Sequence, residues 1–268
     1  MDVTLLGTMG WMPRGRRETT CFAVRTGPAL LIFDAGTGLR RLLDAEQAPL
    51  LDGAGEVHLF LSHYHLDHVC GLAYLSGVLP GRDVVIHPPE QTITGVDPVA
   101  AVAGLLRKPY NPVDFEDLDR VRIEPLAAGV NHVAGHEIRV RPQRHSDTSV
   151  CFRIDDDAAI ATDTSADAAT AEFAAGVGLL LHEAWYWAAD PAFAAVPPDV
   201  HPGYSAHSEA TAVARLAVEA GVGRLVLVHL NPLGGEDAIA RLAAAAAETF
   251  SGAAVVDDGT TLSTSVLD

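Results

Sequence analysis

The stretch that most limits what this chain can fold into is Ser62-His63-Tyr64-His65-Leu66-Asp67-His68, which follows directly on the apolar run Val57 to Leu61. That run reads as a β-strand, so the three histidines and the aspartate stand at a strand's C-terminal end, where the chain turns into its next element. In extended backbone alternate side chains point the same way, which lets His63 and His65 converge on one ion. The turn then offers Asp67 and His68 to a second ion. Imidazole nitrogen and carboxylate oxygen suit Zn²⁺ first, and Mn²⁺ or Fe²⁺ after it. Only twelve histidines occur in 268 residues, so three of them beside an Asp at this spacing argue against a chance surface cluster.

The rest of the chain supplies the framework such a loop needs. Short apolar runs bounded by Gly, Pro and Asp predict strands at Val3 to Leu6, Cys21 to Val24, Leu30 to Phe33, Val84 to Ile86, Ile138 to Val140, Val150 to Ile154 and Ala158 to Ala161. Leu179 to Leu181, Leu225 to Val228 and Val255 to Val256 follow. Helical spacing appears at Ala210, Val213, Leu216, Ala217 and Ala220, with Ser208 as the expected cap and Gly221 as the stop. Ile239, Leu242, Ala243, Ala246 and Phe250 repeat that spacing. Many strands with occasional helices, without strict alternation, predict an α/β (α+β) protein: two mixed sheets face to face, covered outside by helices, a four-layer αββα sandwich. No linker divides residues 1–268, so one domain is expected. Gln91 to Leu118, with Pro98, Pro109 and Pro112, reads as a helical excursion or lid, and Lys108 to Pro112 as its part over the site. Asp155-Asp156-Asp157 reads as a solvated hairpin turn.

The His63 to His68 run resembles the H-x-H-x-D-H signature of metallo-β-lactamase-fold hydrolases, and the later motifs of that family follow in order. Asp34, in Phe33-Asp34-Ala35-Gly36, is similar to the early strand-end aspartate that supports the ligand loop. The resemblance implies His63, His65 and His145 on one metal, Asp67, His68 and His229 on the other, and Asp163 with a water or hydroxide between them. It thus implies two Zn²⁺ per chain. Two such metals about 3.5–4 Å apart acidify a shared water and bind the substrate oxygen that becomes more negative, which suits phosphodiesters.

Leu181-His182-Glu183-Ala184 followed by Ala206-His207-Ser208-Glu209 resembles the paired motifs of the ribonuclease Z branch. Carried over by position, the catalytic residues are Asp67, His207 as general acid for the departing alkoxide, and Glu183 to orient and charge-stabilise it. Trp185 and Ser208-Glu209 depart from the branch, which has Thr and Ser-Thr there. His182 is the poorer candidate, because alternation points it away from Glu183. Ribonuclease Z proteins that process transfer RNA carry an exosite arm between the third histidine and the bridging aspartate. Here seventeen residues separate His145 from Asp163, enough for a hairpin and no arm.

Charge points the same way: a formal net charge of −17 repels long polyanions. The expected partner is a small-molecule phosphodiester, cyclic or linear, with large nucleic acid disfavoured; a homodimer is the analogy the branch offers. Arg14, Arg16, Arg17, Arg139, Arg141 and Arg144 are the local positive charges that could meet a small anion. The competing functions are hydrolysis of a lactone, thioester or β-lactam on the same metals, transfer-RNA 3′ processing, and a non-enzymatic metal-containing regulatory module. Three widely spaced cysteines fit a reducing compartment, with Cys70 and Cys151 expected to be buried. With no signal-peptide pattern at the N-terminus and no long apolar run, the expectation is a cytoplasmic enzyme without a membrane span. His58, His87, His132, His136 and His201 are read as ordinary structural or solvent histidines.

Overall fold

Strands here are mostly runs of Val, Ile, Leu and Phe with no polar alternation, the pattern of strands covered on both faces. The computed structural model of the protein, which describes residues 1–190 and 206–265, pairs them into two seven-stranded sheets. The first holds β1 (Asp2–Gly7), β2 (Cys21–Thr26), β3 (Ala29–Phe33), β4 (Glu56–Phe60), β5 (Asp83–His87), β6 (Val121–Ile123) and β14 (Thr261–Ser263), in the order 14-1-2-3-4-5-6. The second holds β7 (Gly129–Val133), β8 (His136–Gln143), β9 (Ser149–Ile154), β10 (Ala158–Ala161), β11 (Leu179–Glu183), β12 (Arg224–Val228) and β13 (Ala253–Ala254), in sequence order.

Each sheet changes character halfway across. In the first, β14, β1, β2 and β3 pair antiparallel, then β3, β4, β5 and β6 run parallel. In the second, β7 to β10 pair antiparallel and β10 to β13 run parallel. The parallel strands deliver their C-terminal ends together, the place where open α/β sheets build sites.

Three apolar cores separate four layers. Phe22, Phe33, Phe60, Phe152, Ile160 and Val226 meet between the sheets. Phe33 stacks on Phe60 with centroids 4.7 Å apart. Leu30, Ile32, Val57, Leu59 and Leu72 form an outer core beneath helices on the first sheet, and Leu180, Leu225, Leu227, Val213 and Leu242 one on the second. The architecture is the expected αββα sandwich.

The α-helices among the described residues are α1 (Leu66–Val69), α2 (Leu75–Val78), α3 (Gln91–Thr94), α4 (Pro98–Leu105), α5 (Ala168–Phe173), α6 (Ala210–Ala220) and α7 (Gly235–Ala247). Gly221 stops α6 in the left-handed region, φ 63°, as its position predicts. The start differs: Glu209, not Ser208, caps it, accepting from the Thr211 and Ala212 N–H groups, while the Ser208 hydroxyl donates to the Thr164 carbonyl. The 91–118 segment is a helical excursion. Val102 and Leu106 anchor it in the outer core of the first sheet, and Lys108 pairs with Asp114. The last strand of the second sheet falls at Ala253–Ala254 rather than Val255 to Val256. Cys151 is buried, whereas Cys70 is half-buried. His201 lies outside the described residues. No helix among the described residues is long and apolar enough to cross a membrane.

Candidate metal centre

Five parallel-strand ends converge. β3 ends at Asp34, β4 runs into Ser62 to His68, β10 into Asp163, β11 ends in Glu183, and β12 into His229. Asp34, Asp163 and His229 hold φ of 58°, 52° and 48°, left-handed backbone that costs a non-glycine residue of order 1–3 kcal/mol. The surrounding structure enforces those turns. Asp34 accepts from the Ser62 N–H at 2.7 Å and hydroxyl at 2.9 Å, and from His68 Nδ1 at 2.8 Å. Gly36 allows the turn to press on α1, since a Cβ there would come within 2.4 Å of the Asp67 carbonyl oxygen.

With His68 Nδ1 donating to Asp34, its Nε2 is the ring nitrogen left to face the centre, 2.8 Å from Asp163 Oδ2. The two atoms are close but not aligned as a hydrogen bond, and both are buried without a partner. Asp163 Oδ2 lies 3.0 Å from His229 Nε2, and Asp163 Oδ1 lies 3.3 Å from His145 Nε2. His145 Nδ1 donates to the Ala206 carbonyl at 3.1 Å, and His63 Nδ1 meets the Ser62 hydroxyl at 3.0 Å, leaving His63 Nε2 unpartnered. Asp67 Oδ2 stands 3.3 Å from both His68 Nε2 and His229 Nε2.

Donor atoms of His63, His65, His145 and Asp163 all lie within 4.8 Å of one another, as do those of Asp67, His68 and His229. An unpaired buried polar atom costs about 1–3 kcal/mol, so several of them aimed inward are difficult to hold without a shared cation. The residues present fit divalent metal ions.

The electrostatics divide: at His68 burial disfavours the charged ring, yet the carboxylates of Asp163, Asp34 and Asp67 outweigh it and hold the imidazole well above its ordinary value, as befits a site that gathers positive charge, whereas two other rings are pushed down. Burial pushes the His63 imidazole well below its ordinary value, and the neighbouring His68 adds to the effect; the neutral ring is the form that ligates. Burial lowers His145 likewise. At Asp67 burial opposes ionisation, yet His68 and His229 outweigh it and hold the carboxyl well below the usual carboxylate range.

Glu183 is buried at the end of β11. Its Oε1 accepts from the Thr164 N–H and its Oε2 meets His207 Nδ1 at 2.7 Å. Burial raises the Glu183 carboxyl and lowers the His207 imidazole. A donor atom of His207 also falls within 4.8 Å of atoms of Asp163 and His229, so proximity alone would allow it a ligand's part. Trp185 stacks on the His207 ring, centroids 4.2 Å apart and planes 9° from parallel, and more loosely on His229, at 5.4 Å and 27°. His182, one residue from Glu183, turns away as alternation predicts and gives Nδ1 to a backbone carbonyl.

All nine sequence-derived site residues thus come to one place. The arginines mostly do not. Arg17 is buried, bonded to Thr8, the Val256 carbonyl, Asp257 and Glu236; Arg14 reaches the Pro232 carbonyl, Arg139 reaches Glu137, and Arg141 reaches Thr170. Sequence reasoning missed Asp147, whose Oδ2 meets His65 Nε2 at 3.1 Å, and Trp11, whose N–H donates to Asp67 Oδ2 at 2.7 Å. Asp147 had a signal in its place two residues after His145; Trp11 lies 56 residues from its partner and had none.

Residues 30–230 match the family described as the beta-lactamase superfamily domain. A ribonuclease Z of Mycobacterium avium (strain 104) is 31% identical over 255 residues, covering 87% of this chain and 86% of the relative. Among solved structures, the metallo-beta-lactamase fold protein YhfI from Bacillus subtilis superposes with a TM-score of 0.72 at 22% identity, over 97% of this chain and 98% of that one. The short form of human tRNase Z superposes with a TM-score of 0.70 at 16% identity, over 99% of this chain and 100% of that one.

Proposed function

This chain belongs to the beta-lactamase superfamily and is a metal-dependent hydrolase, and from that premise we propose that it cleaves a small or cyclic phosphodiester. His63, His65 and His145 would hold one Zn²⁺, Asp67, His68 and His229 a second, with Asp163 shared between them. When bound, such a pair supplies Lewis acidity toward phosphoryl oxygens and acidifies a water to a nucleophile at neutral pH. Asp34, by accepting from His68 Nδ1, fixes that ring's tautomer and direction.

The observation that carries the reading is the His207–Glu183 pair at 2.7 Å beside the ligand cluster. Glu183 holds Nδ1 and stabilises the charged ring, so Nε2 is the nitrogen that delivers a proton to the departing alkoxide. The two motifs that carry this pair resemble those of the ribonuclease Z branch, which favours a phosphodiester over a lactone or β-lactam. The name of the mycobacterial relative supports a phosphodiester as the bond class. A small substrate is supported by the chain's −17 charge and by the span from His145 to Asp163, which β9, β10 and their turn fill.

That same name favours a second reading, transfer-RNA 3′ processing, with a longer polyanion as substrate. Purified, metal-loaded protein should be offered bis(p-nitrophenyl) phosphate, cyclic nucleotides, precursor transfer RNA, a lactone and a thioester. Turnover of the small phosphodiesters, lost in His207→Ala with metal content retained, is the expected result. Preference for precursor transfer RNA would establish the second reading, and turnover indifferent to His207 would overturn the first.

A further inference from the structure

Among the described residues, six non-glycine residues have positive φ. Ala134 and Asp155 sit in the hairpin turns between β7 and β8 and between β9 and β10, where such backbone is ordinary. Asp34, Asp163 and His229 belong to the candidate centre. The sixth is Trp11, φ 59°, which neither group explains. The Met12 N–H donates to the Gly10 carbonyl at 2.7 Å, closing a γ-turn around Trp11 of the hand that side chains disfavour. Its indole is not what holds it there, being 57% exposed.

The backbone is fastened on three sides. Trp11 N–H bonds Asp67 Oδ2, Gly10 N–H bonds the Leu230 carbonyl at 3.0 Å, and Gly10 lies so close under the His229 ring that a Cβ would fall 2.5 Å from its Cε1. Strain is thus spent to root a large, solvent-facing aromatic one bond from an atom that touches a ligand residue. Met12, Leu66 and Leu233 are exposed as well, next or close in sequence to Trp11, Asp67 and Leu230.

Resting on the phosphodiesterase reading, we propose that Trp11 is the residue that recognises substrate beyond the phosphate, stacking on a planar aromatic ring, so that the preferred phosphodiesters are nucleotide-like. An indole face accepts any nucleobase, because every base presents a π-face. The acidic surface then matters less, since the ring contributes affinity without a cationic partner.

The test measures binding of AMP and of ribose 5-phosphate to the Zn²⁺-loaded protein by calorimetry, in wild type, W11F and W11G. W11G keeps the N–H that Asp67 accepts, and metal analysis verifies that the centre stays loaded. The AMP to ribose 5-phosphate affinity ratio should fall about tenfold in W11G, the order expected for one lost base-stacking contact, and less in W11F. W11G should also melt at a higher temperature, because glycine relieves the left-handed φ. An unchanged ratio overturns the inference, as does a lower melting temperature, which would make the indole a structural part. If the protein cleaves no phosphodiester yet discriminates AMP through Trp11, the chemistry proposed above fails and with it the nucleotide-like phosphodiester, and only the ring-stacking role of Trp11 stands. If it cleaves phosphodiesters and W11G loses no ring preference, the reverse holds.

Discussion

β5 and β12 occupy the same place in their two sheets, each the second strand from the parallel edge, and each leads into a histidine, His87 and His229. Both imidazoles are buried. His87 is satisfied: Nε2 meets His58 Nδ1 at 3.0 Å, Nδ1 donates to the Glu124 carbonyl at 2.9 Å, and His58 Nε2 reaches Glu56 at 3.0 Å. His229 has Nδ1 without a partner and Nε2 crowded by two carboxylates, Asp163 and Asp67. Burial alone therefore does not mark a candidate ligand. What separates the two is hydrogen bonding left undone where other donor atoms converge. His182 sharpens the point: its Nε2 is also unpartnered, yet it has no such company.

The comparison breaks most visibly at Asp163, on which His68, His145 and His229 all bear. Asp163→Ala should remove bound metal and lower kcat/KM by more than the roughly 10–100-fold that loss of an outer-shell partner costs, read by elemental analysis and steady-state kinetics. His207→Ala comes next, with a kcat loss on the order of 10²–10⁴ and metal content intact, as for a general acid rather than a ligand. Asp34→Asn should weaken metal affinity by about 10–100-fold in chelator competition, since it disturbs the orientation of His68 and the Ser62 bonds without removing a candidate ligand.

His87→Phe belongs to the other pole. It should leave metal content and activity alone and destabilise by about 1–3 kcal/mol in urea, because His58 Nδ1 loses its partner. It should also flatten the acid limb of stability. Burial depresses His87 to about 4, below its unfolded value of 6.5. Between those values the unfolded chain binds the extra proton. The contribution is therefore complete above pH 6.5 and lost as pH falls through 4, at most about 3 kcal/mol in all.

The sequence makes these two histidines hard to tell apart, since each ends an apolar strand. His229 was separable only through the order of motifs around it. The His63 to His68 run is different, because four donors within six positions need no tertiary information to be seen together. The same contrast governs the fold. β3, β10 and most of β12 are continuous apolar runs and plain to read, whereas β6, β7 and β14 are largely exposed and exist because a neighbour pairs with them. Glu209 displaced Ser208 as the α6 cap because the Ser208 hydroxyl is taken by the Thr164 carbonyl, 44 residues away. Trp11 escaped notice for that reason too, its partner Asp67 lying 56 residues along the chain.

The groups at the centre come from both sheets and from positions as far apart as Asp34 and His229. A ribosome must release β12 before the last of them is available, and the two sheets must dock before any of them face each other. Cation binding would then report on completed folding of the whole sandwich, and by binding only that state it would favour it through mass action. Metal supply would in that way set how long the finished protein survives proteolysis, apart from any effect on turnover.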